Sequence, residues 1–459
     1  MKSVITKYKI LIVVFLGLLS ASCNKKLDVK PQDTISPDQI KTEADVTALL
    51  LGTYDDLQYY DGFGQNYQLI SDLIANENDI SFVGTYADYR RAANRTLDRT
   101  STVAEGIWLN GYRAINKANI VLSKLDVVSA DNKDAVSGEA KFIRAVFYYE
   151  LSGFYGKPYS DGNLTTNLTV PLVLDAVVNT GEIDKAYVAR ATVQDMHTQI
   201  VKDLQDAIAG LPADNGTRAN KYAAYAFLSR VYLAEGKYAE AATAANAVIA
   251  SGVYSLTSSF AGAFNNASNS SEDIFGIQQS EQSNTGSSNF GIITMFDSNT
   301  NGDRGDVQVD ANQPTIYEAG DDRGSFYYDG KSISGITGLY TYKYSTRYKV
   351  VPVVRLAEMY LTRGEANLRS GAQVGDATPL EDITTVRDRA KAPSLSAVTG
   401  DDFVTERYRE LAFEGDKFWT KKRLKLDIGT LAYDNDKLIL PIPERERDVN
   451  TKLTQNNGY

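Results

Sequence analysis

Apolar residues recur every three to four positions over most of the first half of the chain and again near its end. This spacing places apolar side chains on one face of a helix and polar side chains on the other. It predicts helices over 42–60, 107–125, 139–154, 193–211, 219–250, 351–370, 379–390 and 402–423. We therefore expect a mostly α-helical protein.

The segment 222–249 fits the tetratricopeptide pattern of two helices joined by a short turn. Tyr225 takes the large aromatic position, Gly236 takes the turn, and the small residues Ser229 and Ala241 let the two helices approach closely. The alternative is an ordinary helical hairpin, because part of this spacing is general to packed helices. The fold class we expect is a scaffold of tetratricopeptide-like helical hairpins with an irregular, loop-rich ligand-binding region.

The composition divides the chain into four regions: a signal peptide over 1–22, a helical region over 23–257, an irregular insertion over 258–350 and a C-terminal helical region over 351–459. The insertion is rich in Ser, Asn, Gly and Asp, with short β-type pieces such as EDIFGIQ and GIITMF. Irregular segments on rigid scaffolds often carry binding sites.

The first 22 residues have the order of an export signal: lysines, then the apolar run ILIVVFLGLL, then small residues. The run is too short to span a bilayer as a helix. Small residues followed by Cys23, the only cysteine, resemble the lipobox of bacterial lipoproteins, in which the cysteine is lipidated. We expect Cys23 to be a lipid anchor; the alternative is an ordinary signal peptide with an incidental cysteine.

The formal net charge is −10, and removal of residues 1–22 takes away three lysines and no acid, which leaves −13. An acidic chain is a poor nucleic-acid binder, so we expect no nucleic-acid partner. One cysteine also excludes an intrachain disulfide, so stability must come from packing.

The sequence offers little for catalysis. His197, the only histidine, lies beside the apolar face of a predicted helix, which favours a surface or boundary position over a catalytic one. A Ser-His triad, an HExxH zinc site and a phosphate-binding loop are therefore not expected. A pair of acids such as glycosidases use cannot be selected from 58 carboxylates. We expect a protein that is not an enzyme and has no catalytic residues or cofactor.

Two charged segments receive structural interpretations. The loop 297–308 matches part of a calcium-loop pattern, but Gln308 stands where a bidentate carboxylate belongs, so we expect a turn and no metal site. In the predicted helix over 406–423, Glu and Arg residues at helical offsets favour ion pairs that brace helix contacts.

The tyrosines are concentrated in two windows, 54–89 and 317–348, which hold 13 of the 29. Tyrosine rings stack on sugar faces or peptide groups while their hydroxyls form hydrogen bonds. The alternative is that these rings pack the irregular segments onto the helices.

An ordered set of motifs resembles the SusD/RagB family of nutrient-binding outer-membrane lipoproteins of Bacteroidetes. It begins at Cys23 with Leu27, Asp28 and Pro31. It continues with WLNGYRAINKAN (108–119), GEAKFIRAVFYYELSGFYGKP (138–158), DLQDAIAGLP (203–212), SEDIFGIQ (271–278), DDR (321–323), VVRLAEMYLTRGEA (353–366), TVRDRA (385–390), ERYRELAFEG (406–415), LPIP (440–443) and QNNGY (455–459). The chain departs from the family pattern at Lys417 and Thr420, which are scaffold positions.

The resemblance implies four tetratricopeptide-like hairpins and a non-enzymatic protein at the cell outer membrane, lipid-anchored and facing outward. It would close as a lid on a SusC-like TonB-dependent transporter and deliver oligosaccharides to it. A peptide ligand, a surface glycosidase and a purely structural scaffold are the alternatives.

Because ligand residues vary within the family, the candidates come from the two tyrosine windows. They are Tyr86, Tyr89, Arg90, Arg323, Tyr327 and Tyr328.

Overall fold

The computed structural model describes residues 39–285 and 289–459. Lys41–Tyr459 form one unit. Its helices are α1 (Glu43–Gln58), α2 (Asn66–Ile74), α3 (Ala87–Ala93), α4 (Thr102–Ser123), α5 (Ala130–Tyr155), α6 (Val193–Gly210), α7 (Lys221–Ala234), α8 (Tyr238–Ile249), α9 (Ile292–Phe296), α10 (Leu356–Ser370), α11 (Pro379–Arg389), α12 (Gly400–Glu410), α13 (Asp416–Arg423) and α14 (Glu444–Val449). The mostly helical prediction is confirmed.

Neighbouring helices pack in series. α4 contacts α1 and α5, α5 contacts α6, α6 contacts α7, α7 contacts α8, and α10 contacts α8, α11 and α12. Side chains define where several helices begin: Thr42 caps α1, Thr378 caps α11 and Thr399 caps α12, each with a reciprocal carboxylate three residues later. The predicted hairpin over 219–250 is confirmed as α7 and α8, which are separated by Gly236 at φ 71°.

Three short predictions were wrong. The helix predicted over 351–370 begins at Leu356, because Val351–Arg355 forms a fully buried strand. The piece GIITMF contains the helix α9. The helix predicted over 402–423 is broken between α12 and α13, where Phe413 and Gly415 have φ of 65° and 81°.

The strands are β1 (Ile80–Phe82), β2 (Leu168–Pro171), β3 (Arg190–Thr192), β4 (Asp273–Ile277), β5 (Val307–Val309), β6 (Tyr327–Lys331), β7 (Thr337–Thr341) and β8 (Val351–Arg355). They form an antiparallel four-stranded sheet of order β1-β5-β7-β6 and the pairs β2-β3 and β4-β8. In the four-stranded sheet Ile80 pairs with Val309, and Tyr327 pairs with Thr341. This sheet joins the two tyrosine windows.

Buried ion pairs hold the C-terminal helices to the strand pair β4-β8. Arg355, at the end of β8, contacts Glu272, Glu410 at 2.9 Å and Glu414 at 2.7 Å. Arg389 of α11 contacts Glu272 at 2.8 Å and also Glu410. Four of these side chains are buried, and Glu414 is slightly exposed, with 9% of its side chain accessible. The structural interpretation of the charged segment 406–423 is confirmed, although the segment is two helices.

Among the residues that the structure describes, no helix combines the length and the apolar composition needed to cross a membrane.

Candidate ligand-binding site

A cavity of about 600 Å³, called the main cavity below, opens between the chain after α1, the helices α3 and α4, and Phe290. The chain after α1 turns back on itself, and glycines make this turn sterically feasible. A Cβ at Gly64 would lie 2.0 Å from the Gln58 carbonyl oxygen, and one at Gly62 would lie 2.7 Å from that of Asp56. This tight turn presents Tyr59 and Tyr60 to the cavity.

Four half-buried rings form a continuous row along the main cavity, called the aromatic row. The ring centroids of Tyr59 and Tyr60 are 4.3 Å apart, and Tyr60 stacks on Phe290 at 4.6 Å with 19° between the ring planes. Phe290 in turn lies 5.1 Å from Tyr86. Because these neighbouring rings cover much of one another's faces, the row presents to a ligand a continuous apolar surface made mainly of ring edges.

Arginines support both ends of the aromatic row. Arg113 of α4 lies 5.3 Å from the Tyr59 ring centroid and is paired with Asp56 at 2.8 Å. Arg304 lies 4.8 Å from the Tyr86 ring centroid and is paired with Asp306 at 2.7 Å. Because each guanidinium already has a carboxylate partner, these cations fix the rings and leave the row close to neutral.

The wall of the main cavity also carries a buried carboxyl group, that of Asp61, which is 7% exposed. Asn66 donates from Nδ2 to Asp61 Oδ1 at 2.7 Å, and the Tyr89 hydroxyl donates to Asn66 Oδ1 at 2.9 Å. Burial raises the pKa of Asp61 to about 7, against the opposing effects of Asn66 and Arg113. The wall thus offers a carboxyl oxygen next to the aromatic faces.

The glycine at position 106 of α4 makes room for that carboxyl group. A Cβ there would lie 2.6 Å from both carboxylate oxygens of Asp61. The position of the Asp61 carboxyl group therefore depends on the absence of a side chain at Gly106.

Of the first group of predicted site residues, Tyr86 and Tyr89 line the main cavity. Tyr86 belongs to the aromatic row, whereas Tyr89 is buried and positions Asn66. Arg90 is exposed and donates from Nη2 to the Gly84 carbonyl at 2.9 Å. It stands next to lining residues but is not one of them.

Tyr327 and Tyr328 lie on β6, away from the residues that line the main cavity. Their hydroxyls are held within the protein: Tyr327 Oη donates to Tyr317 Oη at 3.2 Å, and Tyr328 Oη donates to the Asp297 carboxylate. The structure therefore does not bring the two nominated tyrosine groups into one site.

The assignment of Arg323 to a ligand surface needs correction. Its side chain is fully buried, with Asp321 at 2.9 and 2.7 Å and Glu406 at 2.6 Å. A guanidinium enclosed by its own carboxylates has no face for a ligand, so Arg323 braces the contact with α12.

Sequence reasoning missed Tyr60, Phe290, Asp61 and Arg113 as site residues. Tyr60 and Asp61 stand in the first tyrosine window, at and directly after the end of the helix predicted over 42–60, and this position was an available signal. Phe290 is a single aromatic residue in a polar stretch, and nothing local distinguishes it.

The carboxylates of the loop 297–308 have protein partners. Asp297 Oδ1 accepts from Asn301 Nδ2 at 2.8 Å and from the Ser298 amide at 2.9 Å, and Asp303 pairs with Arg347 at 2.5 Å. Over the described ranges no group of three His, Cys, Asp or Glu side chains is arranged to hold a metal ion.

His197 is buried, at 8% exposure, whereas the sequence favoured a surface or boundary position. Its Nδ1 is 3.0 Å from Glu235 Oε1, and its ring lies against Tyr159. Cys23, the predicted lipid anchor, lies outside the described residues.

Two family models match the chain. The model described as "Starch-binding associating with outer membrane" matches residues 25–233, and the model described as "SusD family" matches residues 298–437.

Relatives and solved structures agree with these matches. SusD-like protein P2 of Formosa agariphila is 26% identical over 99% of this chain and 100% of its own length. Starch-binding protein SusD of Bacteroides thetaiotaomicron is 33% identical over 24% of this chain and 21% of its own length.

Two solved structures show the same fold. A putative sugar binding protein from Bacteroides vulgatus has a TM-score of 0.79 at 24% identity, over 93% of this chain and 100% of that one. Surface glycan-binding protein A from Bacteroides fluxus has a TM-score of 0.75 at 21% identity, over 91% and 100% of the two chains.

Proposed function

This chain belongs to the SusD family, and from that membership and the main cavity we propose that it binds oligosaccharides on the aromatic row. The observation that carries the proposal is the row itself, four rings in sequence beside a carboxyl group and an amide. A sugar ring has apolar C–H faces and a rim of hydroxyls. The apolar surface of the row packs against these faces, while Asp61 hydrogen-bonds the rim.

The names of related proteins support a carbohydrate ligand. One relative is named a starch-binding protein, and one protein of the same fold is named a glycan-binding protein. The near-neutral character of the aromatic row, with Arg113 and Arg304 both paired, favours an uncharged glycan over an acidic one.

We also propose that the protein is lipidated at Cys23, faces outward at the outer membrane, and delivers its ligand to a SusC-like TonB-dependent transporter. The lipobox-like sequence and the outer-membrane association in the family description support this proposal.

Digestion of intact cells with an external protease tests orientation. Cleavage of the protein is the expected result, and complete protection would place it on the periplasmic side. Copurification with a barrel-sized outer-membrane protein tests the transporter partner.

Peptide binding and glycosidase activity are the competing functions. A peptide binder would copurify with peptides, which mass spectrometry would detect, and it would not bind sugars in the titration. A glycosidase would release reducing ends from a polysaccharide. The separate protein partners of the carboxylates in and around the main cavity, such as Asp56 with Arg113 and Asp306 with Arg304, favour binding over hydrolysis.

Calorimetric titration with a panel of soluble neutral oligosaccharides tests the proposed function. We expect at least one member to bind, and Tyr60→Ala to weaken that binding about tenfold, because one ring of the apolar surface is lost. Tyr342→Ala is the matched control, since Tyr342 is an exposed tyrosine outside the main cavity. Equal weakening by both variants, or release of reducing ends, would contradict the proposal.

A further inference from the structure

A second cavity, of about 370 Å³ and called the side cavity, lies along another face of α4. Its walls come from α4, from the chain between β2 and β3, and from the C-terminal residues around α14. It shares two wall residues with the main cavity, Leu109 and Arg113. These residues are one helical turn apart, so the two cavities are separated by a ridge one helical turn long.

The walls of the side cavity are predominantly apolar. They include Trp108, Ile115, Val173, Val177, Ile183, Val449 and Leu453. Three apolar side chains among the lining residues also reach solvent, with Leu109 36%, Ile183 41% and Val449 53% exposed. A concave apolar surface of this volume is of the size that binds small molecules.

Three polar side chains in these walls are engaged with the protein backbone, and the carboxylate of Glu446, which also lines the cavity, is hydrogen-bonded to the Trp108 side chain. Tyr112 Oη donates to the Pro171 carbonyl at 2.7 Å, and Asn450 Nδ2 donates to the Val188 carbonyl at 3.0 Å. Asn116 donates to the Val177 carbonyl and accepts from the Val177 amide, both at 2.9 Å. Because these groups are already satisfied, the side cavity favours an apolar occupant over a polar one.

The ridge between the cavities is itself held in place. Arg113 donates to Asp56 Oδ1 at 2.8 Å and to Asn110 Oδ1 at 2.6 Å, and Leu109 stands exposed one turn before it. A ligand that packs against the aromatic row near Tyr59 therefore meets the apolar side chain of Leu109, with the apolar side cavity beyond it.

We propose that the side cavity binds an apolar substituent, an acyl or aryl group, carried by a glycan whose sugar rings occupy the main cavity. The inference rests on the proposed function and adds to it the chemical class of the ligand. A side chain of a partner protein could also fill an apolar cavity. In that case, however, the side cavity would have no reason to share a wall with the main cavity. The shared ridge is what favours a single ligand that spans both cavities.

The test uses n-hexyl, n-heptyl and n-octyl β-D-glucopyranosides below their micelle concentrations, titrated into the full-length protein. If the chain enters the side cavity, affinity rises about fourfold for each added methylene group. Ala186→Phe, which fills the side cavity from its wall, should abolish this dependence on chain length. Ala189→Phe is the matched control, because Ala189 is exposed and outside the lining, and it should leave the dependence unchanged.

A variant in the main cavity separates this inference from the proposed function. Tyr60→Ala should weaken all three glucosides by one common factor and leave the methylene increment intact. Absence of a chain-length effect, or its persistence in Ala186→Phe, would overturn the side cavity as the site. A Tyr60→Ala variant with unchanged glucoside affinity would overturn the link between the cavities. If the proposed function itself is wrong, no unsubstituted oligosaccharide in the calorimetric panel will bind to the protein.

Discussion

At the scale of single residues, the candidate site places a buried carboxyl group beside the aromatic row. Asp61 has Asn66 as its hydrogen-bond donor and Arg113 as a nearby cation, but burial is the larger effect, and the pKa of Asp61 rises to about 7. The group is therefore half protonated near neutral pH. In its protonated form it donates a hydrogen bond, and in its ionised form it accepts.

Replacement of Asp61 by Asn should change how stability depends on pH. The folded pKa of about 7 exceeds the ordinary value of 3.8, so the folded protein holds a proton that the unfolded chain releases. The contribution of the Asp61 carboxyl to the free energy of unfolding is fully present at low pH, and it is lost as the pH rises toward 7. Between pH 5 and pH 8 the wild type should lose roughly 2 to 3 kcal/mol more unfolding free energy than Asp61→Asn. Urea denaturation of both proteins at both pH values checks this, and parallel losses would refute it.

At the scale of elements, two glycines inside helices are expected to respond in opposite directions. A Cβ at Gly106 of α4 would collide with the Asp61 carboxylate, so Gly106→Ala should cost about 1 to 3 kcal/mol of unfolding free energy. In α1, a Cβ at Gly52 would lie 3.7 Å from Lys117 Nζ, an ordinary contact. Gly52→Ala should therefore stabilise by about 0.5 to 1 kcal/mol. Chemical denaturation measures the change in unfolding free energy in both variants. If the two changes had the same sign and size, the packing described around Asp61 would be wrong.

The break between α12 and α13 depends on a side chain that is distant in sequence. Lys343 Nζ donates to the carbonyls of Glu410 at 2.9 Å and Ala412 at 2.8 Å and to Glu414 Oε1 at 2.6 Å. These bonds satisfy carbonyls at the end of α12 that a continuous helix would have paired. Burial lowers the pKa of Lys343 to about 8, although Glu414 and Glu410 oppose that shift.

Lys343→Met should destabilise the protein by about 2 to 4 kcal/mol, because it leaves buried carbonyls and a carboxylate without this donor. Lys331→Met, at an exposed position of β6, is the control and should change stability by less than about 0.5 kcal/mol. Thermal or urea unfolding compares the two. If Lys343→Met were as stable as the control, the break between α12 and α13 would not depend on the ammonium group of Lys343.

At the scale of the whole molecule, buried charges join segments that are far apart in sequence. Glu410 contacts Arg355 at 2.9 Å and Arg323 at 3.2 Å, and it also contacts Arg389. These arginines hold the pKa of Glu410 near 2, against the effect of its burial. The network joins α11, α12 and β8, so the C-terminal half depends on it for its arrangement.

Glu410→Gln should cost about 3 to 5 kcal/mol of unfolding free energy, because it removes the anion from between three buried guanidinium groups. Glu240→Gln, at an exposed position of α8, should have almost no effect. Denaturant titration of both variants provides the comparison. A loss below about 1 kcal/mol in Glu410→Gln would mean that the network contributes little to the fold.

The helices were predictable because their apolar period is local, as α1, α6 and the α7–α8 hairpin show. The break before Gly415 was not, since Lys343 lies about seventy residues away. Of the candidate site, the sequence pointed to Tyr86 and Tyr89, which line the main cavity, whereas Phe290 joins it through Tyr86 and through stacking on Tyr60, a contact that spans 230 positions. Arg323 was misassigned because a fully buried arginine is uncommon and looks in sequence like any other.

A crystal structure with an oligosaccharide that binds in the panel titration tests most directly whether sugar rings bind on the aromatic row. We expect a sugar ring within about 4 Å of the Tyr60 and Phe290 side chains, with a sugar hydroxyl hydrogen-bonded to Asp61. A sugar bound at Tyr327 and Tyr328, with the aromatic row empty, would contradict this expectation.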